Sequence, residues 1–347
     1  MARVDELRLM TRVAGLYYDD GVRQPEIARR LRLSQPKVSR LLKQAHEMGI
    51  VRISVRPPSG TNPELERAIE SSYDLHQVEV VDISRDDDEA AVRELGAAAA
   101  FHLENTVRSG DIIGVSSWSA TLLAMVDAMH PVNGVRDTQV VQILGGGGDP
   151  AAEGHATHLV RRMADLLHGE GTFLPAPSSV GSKASRDVLL EDPFVRRAMS
   201  LFDDLDVALV GIGGQEPSGL LTSSGNVFSR EELQTVRAAG GIGDIGLRFL
   251  RADGEPVRSS LDERVIGIDL EQLQRVPRAI GVAGGPGKTV AIRAALLGGW
   301  INCLITDRFT GERLLEANPR TGASPKVAAA TTQRKEASTH LAGAVVA

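Results

Sequence analysis

A chain of 347 residues, 42% of them hydrophobic and 24% charged, is too apolar for a disordered protein and long enough for more than one domain. A single cysteine excludes an internal disulfide framework; the charged start MARVDELRLM and the lack of a membrane-length apolar run predict a cytoplasmic protein. The net charge of −6 hides a split: residues 1–58 hold 12 Lys and Arg against 6 Asp and Glu, or +6, which leaves −12 for the rest. A basic head on an acidic body suits a head that meets nucleic acid.

In chain order, Leu9, Val13, Leu16 and Tyr17 mark an amphipathic helix. The stretch QPEIARRLRLSQPKVSRLLKQAHE (24–47) then reads as two short helices around a break at Arg32, Leu33 and Ser34. The first buries Ile27, Ala28 and Leu31, and the second buries Val38, Leu41, Leu42 and Ala45. Ser34 is an N-cap type, and Pro36 falls in the first turn, where its missing N–H costs nothing. This is a helix-turn-helix layout, with the second helix destined for a DNA major groove. Its outward face carries Gln35, Lys37, Ser39, Arg40, Lys43 and Gln44, which with Ser34 can reach phosphates and base edges. Gly49 ends the helix, and residues 51–56 alternate as a wing strand that adds Arg52.

Residues 57–63, PPSGTNP, form a linker. Beyond it the pattern predicts helix over 64–73, strand 78–81, helix 89–107, strand 111–116, helix 120–129, strand 138–144, helix 155–167 and strand 207–211. A helix over 230–239, strand 247–250, strand 278–283, helix 290–297 and strand 301–306 follow. Apolar strands separated by amphipathic helices give a parallel, doubly wound α/β domain. From about residue 318 no periodic face remains, which predicts a mobile tail. The domains are therefore 1–56 for DNA binding, the linker 57–63, an effector and oligomerisation body at 64–317, and the tail 318–347.

Strands in this pattern end in glycine-rich loops at 114–119, 145–148, 211–214 and 284–288. In an open parallel sheet the ligand binds beyond the carboxyl ends of the strands, where glycine admits close approach and helix N-termini offer N–H groups. Residues 283–289, AGGPGKT, follow a strand and open a helix. The spacing fails the Walker A motif, because Val282 stands where that motif needs glycine. Backbone donors and Lys288 still suit a phosphate. GIGDIG (241–246) matches the dinucleotide fingerprint in letters only, because it follows a helix and precedes a strand. Asp244 in this loop is either a turn former or an acceptor for sugar hydroxyls. His155 and His158 share a helical face but lack a third ligand, so no metal is expected. The run Asp203, Asp204 and Asp206 reads as a solvated loop, Cys303 as a buried strand residue, and no Gly-x-Ser-x-Gly elbow occurs.

The blocks LYYDDGVRQPEIARRL, LSQPKVSRLLKQAHEMGIVRISV, IIGVSSWSATL, LPAP, DVALVGIGG, GDIGLRFLRADGEPV, RVIGIDLEQLQRVPRAIGVAGGPGK and AALLGGWINCLITD resemble, in this order over residues 7–317, the SorC family of sugar-responsive bacterial transcription regulators. The resemblance implies a winged helix-turn-helix followed by an α/β domain similar to sugar-phosphate isomerases and deaminases, used for binding and not turnover. It implies a phosphorylated sugar or polyol effector, double-stranded operator DNA, a homo-dimer or homo-tetramer, and a repressor released by its inducer. By the same likeness Gly284, Gly285 and Lys288 hold phosphate, Asp244 contacts the sugar, and Ser116, Ser117, Ser119 and Thr121 close the pocket. Gly146, Gly147, Gly213 and Gly214 join them from the other strand-end loops. No cofactor is expected. Three departures stand out: Arg32 occupies a turn where glycine is usual, the Asn-Pro pair usual near residues 155–158 is missing, and Pro286-Gly287 makes the phosphate loop unlike the more charged versions. The competing reading is an isomerase or deaminase with an appended head. It lacks a defensible His or Glu partner for Asp244 and Lys288.

Overall fold

The computed structural model describes residues 2–51, 60–226 and 228–317. Two compact units are present, Met1–Pro58 and Ser59–Ala347.

The first unit consists of α1 (Ala2–Tyr18), α2 (Gln24–Leu31) and α3 (Gln35–Glu47). Its core joins Met10, Val13 and Ala14 of α1 to Ile27 and Ala28 of α2 and to Val38, Leu41, Leu42 and Ala45 of α3. Leu9, Leu16, Tyr17 and Leu31 pack against it, half-buried. Proline stands in the first turn of both α2 and α3. Between those helices Arg32 takes the left-handed conformation, φ 53°, and the Leu33 N–H donates to the Ala28 carbonyl at 2.8 Å. The tight turn is thus kept without glycine. Ser34 has the extended backbone of an N-cap, but its hydroxyl makes no bond to the helix. At the far end Gly49, φ +69°, lets Ile50 N–H donate to Ala45 O at 2.9 Å, which stops α3. The expected wing, with Arg52, and the first part of the linker fall on residues 52–59, outside the described residues, as does the expected tail from residue 318.

The second unit runs α4 (Pro63–Tyr73), β1 (Gln77–Val81), α5 (Asp88–Thr106), β2 (Ile112–Val115), α6 (Ala120–Ala128), β3 (Gln139–Gln142), α7 (Pro150–Leu166) and β4 (Glu170–Thr172). It continues through α8 (Lys183–Leu190), α9 (Pro193–Ser200), β5 (Val207–Val210), α10 (Gly219–Ser223), α11 (Arg230–Ala238), β6 (Gly241–Ile245) and β7 (Arg248–Arg251). It closes with α12 (Leu270–Arg275), β8 (Arg278–Val282), α13 (Thr289–Leu297), β9 (Cys303–Asp307) and α14 (Arg308–Glu316).

Seven strands form one parallel sheet in the order β1-β9-β8-β5-β2-β3-β4. From β2 the chain winds outward to β3 and β4, then returns to the other side of β2 as β5. Both faces are covered, which is why the central strands are buried along nearly their whole length, β5 and β9 at every residue. Val207 and Leu209 of β5 join one core with Ile113, Val115, Ile280 and Val282. Ala208 and Val210 join the opposite core with Val141, Ala279 and Leu304. Cys303 is buried in the first of these, and burial raises its thiol pKa. The doubly wound α/β expectation therefore holds.

One expectation changes. GIGDI is not a loop but strand β6, paired antiparallel with β7, with an irregularity in register between Gly241 and Gly243. A β-carbon on Gly243 would stand 2.3 Å from the Ala291 β-carbon, so the hairpin lies directly on α13.

Candidate functional site

Two regions collect side chains predicted to be functional, one in each unit. On α3 the positions predicted for DNA contact all point to solvent: Ser34, Gln35, Lys37, Ser39, Arg40, Lys43 and Gln44 are exposed, while Val38, Leu41, Leu42 and Ala45 between them are buried. The helix presents a polar, cationic ridge whose Ser34 hydroxyl is not used for capping. Among the described residues Lys43 pairs only with Glu47, at i, i+4 and 3.8 Å, an exposed contact that contributes little stability.

In the second unit a cleft of about 390 Å³ opens where the winding reverses, between the carboxyl ends of β2 and β5. Such a crevice is where doubly wound sheets bind ligands. Ser116 and Ser119 reach it from β2, Gly213 and Gly214 from β5, Asp244 from the hairpin and Lys288 from the β8–α13 loop. These predicted residues lie up to 172 positions apart in sequence (288 − 116), and the sheet brings them together.

Asp244 is fixed from several sides. Its backbone exchanges hydrogen bonds with Gly213, N–H to O at 2.9 and 3.1 Å. The Leu247 N–H donates to its Oδ2 at 2.9 Å. A β-carbon on Gly213 would come within 2.0 Å of its Oδ1, which accounts for glycine there. Its carboxyl lies deep among protein atoms, although the residue as a whole is only half-buried because it faces the cleft. Desolvation pushes its pKa up to about 6, against the Leu247 hydrogen bond and the Lys288 charge, which pull it down. Burial lowers the Lys288 pKa, opposed by Asp88 and Asp244.

Helix N-termini face this end of the sheet with different caps. The Asp87 side chain accepts from Ala90 N–H at 2.8 Å on α5, and Ser119 accepts from Leu122 N–H at 3.3 Å on α6. On α13 the N-cap is Lys288, which offers no acceptor, so the first N–H groups of that helix have no side-chain cap. The loop before it is anchored from below. Asp307, fully buried, accepts Gly285 N–H at 2.7 Å and Thr310 Oγ1–H at 2.7 Å on Oδ2.

Not every predicted residue reaches the cleft. Gly284 and Gly285 are buried beneath the loop, and the Gly285 N–H is taken by Asp307. Ser117 turns inward, donating to Leu144 O at 2.7 Å and accepting from Gln142 Nε2 at 2.9 Å; Thr121 is buried too. Gly146 and Gly147 line a separate depression of about 590 Å³ with Gln142, Thr157 and Arg161. Conversely, Asp88, Trp118 and Glu216 line the cleft without having been expected. Asp88 carried a readable signal, because it opens a helix directly after a strand-end turn. Trp118 is held by Nε1–H bonds to Gly145 O at 3.0 Å and Ser178 Oγ at 3.1 Å.

His158 pairs with Asp127 at 2.8 Å. No group of three or more His, Cys, Asp or Glu is placed to hold a metal among the described residues. Asp206 accepts the Ile112 N–H at 2.9 Å and Asp203 accepts from Gln272 and Arg275, so these acids of the predicted run tie the sheet base. No helix among the described residues is long and apolar enough to cross a membrane.

Residues 58–316 match the family model described as "Putative sugar-binding domain". The chain is 30% identical over 311 residues to the deoxyribonucleoside regulator of Bacillus subtilis (strain 168), covering 90% of this chain and 98% of that one. It is also 30% identical over 320 residues to the sorbitol operon regulator of Klebsiella pneumoniae, covering 91% and 100%. The solved full-length sorbitol operon regulator SorC from Klebsiella pneumoniae superposes with a TM-score of 0.68, covering 89% and 98%. The chain belongs to the SorC family of sugar-responsive transcription regulators. Its relatives are named as regulators and not as enzymes.

Proposed function

We propose that this SorC-family regulator binds an operator duplex through α3 and is controlled by a phosphorylated sugar or polyol held in the β2/β5 cleft. The observation that carries the effector reading is the uncapped N-terminus of α13 beside Lys288, next to the half-buried Asp244. Backbone donors and an ammonium take a phosphate, and a carboxylate takes hydroxyls. The regulator works in the cytoplasm as a homo-dimer or homo-tetramer. One α3 ridge covers a single half-site, so tight operator binding needs two heads on one duplex. The effector must bind the DNA-competent and DNA-incompetent arrangements unequally, and a repressor released by its inducer is the proposed sign. Relatives named for sorbitol and for deoxyribonucleosides support a hydroxyl-rich ligand.

The test is a thermal-shift panel of sugar and polyol phosphates, each paired with its unphosphorylated counterpart, on wild type and Lys288→Ala. Stabilisation by phosphate esters alone, lost in the variant, is the expected result. Equal shifts with the unphosphorylated partners remove the phosphate from the reading. Turnover of any ester by purified protein would make the protein an enzyme.

A further inference from the structure

Asp88 stands in the effector cleft at the first position of α5, exposed, and its carboxylate accepts no hydrogen bond and forms no ion pair among the described residues. It lies against the loop that precedes α13: a β-carbon built on Gly285, φ +95°, would stand 2.4 Å from Asp88 Oδ1. A side chain there would displace the acid, so the glycine leaves room for it. Among the charges acting on Lys288, Asp88 is the foremost, ahead of Asp244. The helix does not need Asp88 as a cap, because Asp87 supplies that bond.

A free carboxylate therefore faces the same ammonium and the same loop that a phosphate would use. We propose that Asp88 is a specificity-determining residue that holds bare anions off this loop, so that only an anion carried on a hydroxyl-bearing ligand, gripped elsewhere in the cleft, is retained. This rests on the anion-binding reading of the β8–α13 loop. The physical basis is repulsion between Asp88 and a phosphate dianion sharing one ammonium, which weakens a bare anion directly. An ester offsets that repulsion with contacts to its hydroxyls at Asp244 and Ser116, which inorganic phosphate does not have.

The experiment is calorimetric titration of the full-length protein with inorganic phosphate at pH 8 and fixed ionic strength, using wild type, Asp88→Asn, Lys288→Met and the double variant. Asp88→Asn keeps the Asp87 cap, and Asp88→Ser serves as a second neutral replacement. Each should bind phosphate about tenfold more tightly than wild type, and the gain should vanish in the double variant. If Asp88→Asn and Asp88→Ser bind no more tightly while Lys288→Met weakens binding, the Asp88 inference is overturned and the loop reading stands. A gain that persists in the double variant overturns it too, because the anion then sits away from Lys288. If phosphate binds neither wild type nor Asp88→Asn, or if Lys288→Met changes nothing, the loop reading itself falls and takes this inference with it.

Discussion

Asp244 holds a charge that its surroundings resist. Its pKa of about 6 lies above the ordinary 3.8, so between those values the folded chain keeps a proton that the unfolded chain releases. Stability at this site is therefore fully present below pH 4 and is lost as pH rises through 6, on the order of 2–3 kcal/mol by pH 7. Asp244→Asn, which can still accept from Leu247, should be more stable than wild type in urea melts at pH 7.5 and equal to it at pH 4. Matching melts at pH 7.5 would mean the carboxylate is well solvated. Such a cost is tolerable where the acid serves a ligand. Asp244 was legible as a candidate because an acid between glycines is unusual, but its burial was not, since that depends on α13 and Gly213 arriving from elsewhere. Arg32 was legible only as a departure. Its sequence neighbours say nothing of φ 53°, a conformation that costs a non-glycine residue roughly 1 kcal/mol.

At the scale of elements, the long periodic segments were readable and the short ones were not. The helix-turn-helix was written in the spacing of Ile27, Ala28 and Leu31 and of Val38, Leu41 and Leu42, and the structure buries all but the half-buried Leu31. The helices α8 and α9 carry eight residues each; no residue of α8 is buried, and α9 buries only Val195 and Ala198, so each offers too short a face to be told from a loop by its pattern. Strand β4 has three residues and its burial pattern is largely open. The β6–β7 hairpin was half seen. GIGDI carries strand-favouring side chains only at Ile242 and Ile245, because its glycines answer to close neighbours and not to strand preference. Gly243→Ala should therefore cost about 2 kcal/mol or more by forcing β6 away from Ala291. It should also displace Asp244 and weaken effector binding. Chemical denaturation and effector titration of the variant check both, and an unchanged midpoint would mean the hairpin has slack against α13.

Over the whole molecule, charge and topology divide the work. Residues 1–58 carry +6 and the remainder −12, so the body repels DNA that the head attracts. For the proposed pair of heads, about four phosphate contacts each imply that raising NaCl from 50 to 200 mM weakens operator binding by roughly 10³-fold or more. Arg40→Ala should lower that salt slope by about one per head if it meets phosphate. Filter binding across a salt series measures both, and a flat response would exclude an electrostatic α3 contact. The parallel, doubly wound order was legible from alternating apolar strands and helices. That a ligand site lies beyond the carboxyl ends of the strands also followed, but the reversal of winding between β2 and β5 did not, because it depends on the strand order. What the chain pattern did not reveal was which strand-end loops share that cleft: the 145–148 loop ends beside a second depression, and Gly284 and Gly285 end as scaffolding for Lys288.

The cleft draws on segments near residues 88, 116, 213, 244 and 288, no two of them on the same element. If the cleft is the receptor proposed above, no fragment of the body contains a working one. On the proposed reading, the metabolite meets its complete site only when the β8–α13 loop has docked, so a newly made chain is deaf to its signal until most of the body has folded. A ligand bound there ties distant stretches of the chain together and resists the unravelling of any one of them.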